Sequence, residues 1–168
     1  MNSSHYWQIL QQYFPKGVIV DTNLLLLYVI GKYNVQRISN FKRTKEYTIE
    51  DYEILIRILH KFKKIVTTPN ILTEVSNLCG HCNDSEKSSI LGKLKEQICI
   101  LDEQHISSDK ICQNNCFVRY GLTDTAIAEL AKNSYLVLTS DLPLTLLLQQ
   151  FKIDVINFNN IRTLSLYY

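Results

Sequence analysis

The run VIVDTNLLLLYVIG, residues 18–31, passes from one kind of burial to another. Val18-Ile19-Val20 reads as a short strand covered on both faces, and Leu24 to Ile30 as the apolar body of a buried helix. Asp21, Thr22 and Asn23 sit at the junction. A carboxylate, a hydroxyl and an amide interrupt a segment otherwise committed to the core, and a polar interruption of that kind needs a reason.

Working outward, the same alternation recurs. Strand-like runs are expected at residues 18–20, 65–67, 135–139 and 154–158, each short, apolar and rich in β-branched or aromatic residues. Helices are expected between them, over residues 4–14, 48–62, 69–79, 84–101, 123–133 and 141–151. Tyr52, Leu55, Ile56 and Leu59 form one apolar stripe, with Thr48 and Asp51 as its cap. Leu91, Leu94, Ile98 and Leu101 form another. Thr68 and Pro69 open the helix at 69–79. Strands separated by helices predict βαβ units, a central parallel sheet and helices on both faces. Residues 31–47 are the most polar and least periodic part, and read as a long loop or a flexible helical pair.

The chain has 168 residues, 46% hydrophobic and 20% charged, and no linker-like segment, so a single domain over 1–168 is expected. The opening MNSSHYWQILQQYFPKG lacks the basic start and apolar core of a secretory signal. The longest apolar run falls far short of the roughly 20 residues of a membrane span. Five cysteines, an odd count, point to a reducing cytoplasm. Net charge is only +2, but residues 32–64 hold nine Lys/Arg against four Asp/Glu, and the remainder nine against twelve. That asymmetry is compatible with phosphate binding and also with a solvated helix face.

In open α/β sheets, ligands gather at the carboxyl ends of the strands. Asp21 follows the first predicted strand, and Asp141 follows the strand at 135–139 in LVLTSDLPL. Asp124 opens a helix in LTDTAIAEL, sharing a face with Ile127 and Ala131. Glu74 lies inside the helix at 69–79, about 40° from Leu78 and about 60° from Ile71 at 100° per residue, so it borders the apolar face. Taken singly, the three aspartates read as helix caps and Glu74 as a surface residue. Four carboxylates brought to one end of a sheet would repel one another and need a compensating cation. Oxygen donors without an organised His or Cys partner suit Mg2+ or Mn2+. Asp21 is then expected to be a metal ligand, with Thr22 and Asn23 fixing its orientation.

From about residue 16 to 158 the chain resembles a PIN-domain nuclease. The resemblance rests on the strand with Asp21-Thr22-Asn23, the helical Glu74, Asp124 of LTDTAIAEL, and VLTSDLPL with Thr139 and Asp141. It implies a three-layer α/β/α, Rossmann-like fold with a central parallel sheet. It also implies a metal-dependent endoribonuclease acting on single-stranded or structured RNA. Asp21, Glu74, Asp124 and Asp141 would form the catalytic metal site, Thr139 would support it with a hydroxyl, and Asp124 or Asp141 would position the attacking water. Some small members are toxins held by an antitoxin protein, others process RNA, and many form homodimers. The interval between Asp21 and Glu74 and the region 84–120 are longer here than in the compact toxins. A structure-specific DNA nuclease and a non-catalytic RNA-binding or assembly module on the same fold are the competing readings.

Two further features stand out. The runs Phe41-Lys42-Arg43-Thr44-Lys45 and Lys61-Phe62-Lys63-Lys64 mix charge with aromatic rings, as single-strand binders do, and Lys42, Arg43 and Lys45 are the candidate RNA contacts. Cys79 and Cys82 form a CxxC at a helix C-terminus, where the dipole disfavours a redox thiolate. With Cys112 and Cys116 they offer four thiolates to zinc, and otherwise they are idle or buried thiols.

Overall fold

The computed structural model describes residues 3–132 and 134–165. Helix α1, Ser3–Tyr13, leads into strand β1, Val18–Val20, and then α2, Thr22–Tyr33. A 3-10 turn at Val35–Asn40 and a string of turns precede α3, Ile49–Leu59, and β2, Ile65–Thr67. Then come α4, Pro69–Cys79, α5, Asp84–Ile98, and β3, Asp102–Glu103. The remainder comprises α6, Ser108–Cys112, α7, Phe117–Ala131, β4, Leu136–Thr139, α8, Leu142–Gln150, β5, Val155–Asn157, and α9, Phe158–Ser165.

The five strands form one sheet, parallel throughout, in the order β3-β2-β1-β4-β5. Helices flank it, as in a three-layer α/β/α Rossmann-like fold. The first strand lies at the centre, with Ile19 level with Val66 on one side and Val137 on the other. The chain leaves β1 toward β2 and later returns to its other side at β4. The switch point, where a crevice opens at the carboxyl ends, therefore lies between β1 and β4.

Each central element follows from its residues. Every residue of β1 and β4 is buried, which explains their unbroken apolar runs. Helix α2 is buried from Leu24 to Gly31, as a helix apolar on all sides must be. Gly31 is required there: a Cβ would meet the Tyr52 ring 2.2 Å away, so α3 rests its aromatic ring on bare backbone. Thr48 and Asp51 form the expected reciprocal cap of α3, and Thr68 with Pro69 starts α4.

Some boundaries differ from the sequence reading. The helix expected from residue 123 begins at Phe117 and kinks at Gly121, whose φ of 75° only glycine takes easily. Its expected end, Asn133, lies outside the described residues. Helix α5 buries Ile90, Leu94 and Gln97, while Ile98 is 40% exposed, so its inward face is rotated from the predicted stripe. Residues 31–47 are anchored, not loose: Ile38, Phe41, Thr44 and Tyr47 are all buried. No helix among the described residues is long and apolar enough to cross a membrane.

Candidate metal centre

Four carboxylates from four elements line one cavity of about 210 Å3, together with Thr22, Asn23, Leu78, Ile127 and Leu144. Asp21 is the residue between β1 and α2, Asp141 the N-cap of α8, Glu74 comes from α4, and Asp124 from the turn of α7 just after its kink. The structure thus brings all four predicted acids together at the switch point. They descend in burial from Asp21, only 4% exposed, through half-buried Asp124 and Asp141 to the exposed Glu74 at the rim.

Each carboxylate is held by its own donors. Asp21 accepts from the Leu24 amide at 2.8 Å, the Ser140 amide at 3.1 Å and the Thr139 hydroxyl. Asp141 accepts from the Leu144 amide at 2.7 Å, and its own amide donates to the Thr139 hydroxyl oxygen at 2.9 Å. Thr139 therefore stands between the two acids. Thr22 departs from the sequence reading. It donates to Glu74 at 2.6 Å instead of serving Asp21, and Thr123 donates to the other Glu74 oxygen. Asn23 lines the cavity without bonding Asp21. The contributions of Thr123, Leu24 and Ser140 went unread: two are backbone amides, which sequence does not advertise, and Thr123 lies a helical turn ahead of the apolar face.

Burial, helped by the Asp141 charge, pushes the Asp21 carboxyl up to about 6 against the pull of its three hydrogen bonds. Burial also lifts Asp124, to about 7, with added repulsion from Asp141, Glu74 and Asp21. The cavity lining contains no Lys, Arg or His to offset this charge. Among the described residues, no three Asp, Glu, His or Cys side chains close into a ready coordination group. The donor set itself, all carboxylate with hydroxyl and amide neighbours, fits a hard divalent ion that keeps several of its waters, as Mg2+ does.

The other candidates fall elsewhere. Lys42, Arg43 and Lys45 are exposed, outside the cavity lining. Phe41 is buried, with the Arg37 guanidinium 5.9 Å from its ring centre, so it offers no face for a base. The run at 61–64 precedes β2 and so lies at the opposite end of the parallel sheet from the acids. Phe62 there packs edge-on to Phe14 at 5.1 Å, and Lys64 pairs with Asp102 at 2.6 Å. All five cysteines are free. Burial drives the Cys79 thiol up to about 12, which leaves it inert as a nucleophile.

The sequence matches no protein-family model and no curated protein.

Proposed function

We propose that this chain is a divalent-metal-dependent endonuclease that hydrolyses phosphodiester bonds in RNA, as its resemblance to the PIN nucleases implies. One observation carries the reading: Asp21, Glu74, Asp124 and Asp141 line a single cavity at the sheet's switch point with no cationic side chain among them. Bound Mg2+ or Mn2+ would polarise the scissile phosphoryl group and acidify a water for attack.

The chain's own residues divide the remaining work. Asp21, fixed by two strands and a helix start, anchors positive charge at the base of the cavity. Asp124, half-buried among the other three acids, would be kept ionised by a bound cation and so placed to take a proton from the attacking water. Glu74, the exposed member of the set, is clamped by Thr22 and Thr123. Asp141 is oriented as an N-cap, so the helix start that holds it also limits its rotation. Lys42, Arg43 and Lys45 supply exposed positive charge for the RNA backbone.

The deciding experiment is cleavage of labelled RNA with Mg2+, Mn2+ or chelator, beside single-stranded and duplex DNA and beside Asp21→Asn. Metal-dependent RNA cleavage lost in the variant is expected. RNA binding without cleavage would replace the reading with a non-catalytic module, and preferential DNA cleavage would replace the substrate.

A further inference from the structure

Ser140 lies between Thr139 and Asp141, and its backbone and side chain are held on three sides. Its amide donates to Asp21. Its carbonyl accepts from the Asn159 side chain of α9 at 3.0 Å. Its hydroxyl oxygen accepts from the Tyr47 phenol at 2.8 Å, a bond that spans 93 residues of chain. Tyr47 is 2% exposed, and burial raises its hydroxyl above the usual phenol range. A Phe would fill the same core volume. The buried hydroxyl is accounted for by Ser140, the partner it needs.

Tyr47 is itself braced. The Arg162 guanidinium lies 5.4 Å from its ring centre and donates to the Glu46 carbonyl at 3.0 Å and to Asp51 at 3.2 Å. Asp51 in turn caps α3 through Thr48. On the other side, the Tyr47 amide donates to the Thr44 carbonyl and the Thr44 amide to that of Phe41. The turns that display Lys42, Arg43 and Lys45 are therefore continuous with the residue touching the β4–α8 loop.

We infer that Tyr47 is a positioning residue for the carboxylate site: its hydroxyl fixes the loop of Thr139, Ser140 and Asp141 so that the Ser140 amide stays on Asp21. The basic segment is thereby anchored on the site it would feed. The catalytic consequence rests on the nuclease reading, and the positioning itself does not.

The test uses the full-length protein and Tyr47→Phe, which keeps the ring and removes only the hydroxyl. In metal-free protein, hydrogen exchange at the Ser140 amide should speed up about tenfold, while the Ile19 amide in β1 stays as in wild type. In cleavage assays at saturating metal, kcat should fall about tenfold with KM for RNA within about twofold. Ser140→Ala should reproduce that loss, and the double variant should be no worse than either single one, because both remove the same bond. A Tyr47 that merely fills the core would leave Ser140 exchange and kcat unchanged, or would make the two losses additive, and either result overturns the proposal. If the wild type cleaves no RNA, the nuclease reading falls, and exchange at Ser140 alone supports or overturns the positioning role.

Discussion

Thr139, at the end of β4, donates its hydroxyl to Asp21, at the end of β1. The orientation of the deepest carboxylate is thus a joint property of two neighbouring strands. Thr139→Val keeps the shape and deletes the donor. Ionised Asp21 should become harder to maintain, with its pKa moving further above about 6. Mn2+ affinity at neutral pH should drop by about tenfold, the order expected for a hydrogen bond to a charged group. The deficit should narrow at higher pH, where ionisation is complete, and calorimetric titration at two pH values checks both parts.

Asp21→Asn separates the metal reading from a simple helix cap. Asn caps nearly as well as Asp, so a capping role alone predicts little change. A member of a repelling acid cluster also sheds charge repulsion in the variant, which offsets the Ser140 amide bond that the Asn nitrogen cannot accept, so the metal-free variant should melt close to wild type. Cleavage should fall by orders of magnitude, since metal assistance supplies several kcal/mol of transition-state stabilisation. Mn2+ should raise the wild-type melting temperature and raise that of the variant much less.

Stability should carry an unusual pH signature. The folded pKa values of Asp21 and Asp124 are raised to about 6 and about 7. Between about pH 4, where such groups titrate in the unfolded chain, and about pH 7, the folded protein holds more protons than the unfolded one. Stability contributed by these two groups is therefore fully present below that window and is lost as pH rises through it. Metal-free melts should show the decline, Asp21→Asn should flatten part of it, and saturating Mn2+ should oppose it by favouring the ionised carboxylates. A melting temperature that climbs steadily across the window, in wild type and variant alike, would contradict the assignment.

The basic segment and the run at 61–64 make opposite forecasts. Replacing Lys42, Arg43 and Lys45 with Ala should weaken RNA binding and lower its salt slope by about 0.7 for each lost contact to a single strand. Replacing Lys61 and Lys63, beyond the far end of the sheet, should leave the slope as it is. Binding titrations over a range of salt concentrations distinguish the two.

Gly31→Ala should destabilise the protein by about 1–3 kcal/mol, the usual cost of overpacking a filled core. The added methyl would sit within 2.6 Å of three Tyr52 ring atoms. Urea unfolding measures the loss, and the double variant with Tyr52→Leu should recover part of it.

How much of this was legible in the sequence varies by element. Val18–Val20 and Ile65–Thr67 were readable to the residue because buried parallel strands are short runs of β-branched, mostly apolar residues. Asp102–Glu103 was not: a two-residue edge strand paired on one side carries no apolar signal. Asp21 and Asp141 were legible because their places after strands follow from topology, and Glu74 and Asp124 because their helical angles set them beside apolar faces. Most of their donors were not: the Leu24, Ser140 and Leu144 amides leave no trace in local pattern, and Thr139 entered only through the family resemblance. The segment at 31–47 misled for a different reason. From residue 38 onward its buried residues, 38, 41, 44 and 47, recur every three positions. Several of its turns are closed by bonds from an amide to the carbonyl three residues back, as from Arg37 to Asn34, Thr44 to Phe41 and Tyr47 to Thr44. That is the period of a 3-10 path, which a search at 3.6 or 2 residues overlooks. The aromatic rings taken for stacking surfaces belong to the same hidden core.

The placement of the first strand at the middle of the sheet also sets an order of events during synthesis. β1 emerges from the ribosome with its apolar helix, yet its two neighbours are made later, β2 first and β4 near the end. Such distant pairing is slow and leaves sticky surface waiting for a partner. Asp21 shares the wait, because Thr139 and Ser140 are translated long after it. A product cut short before β4 would hold three of the four acids, none of the contacts from β4 that orient the deepest one, and an uncovered strand edge for quality control to find.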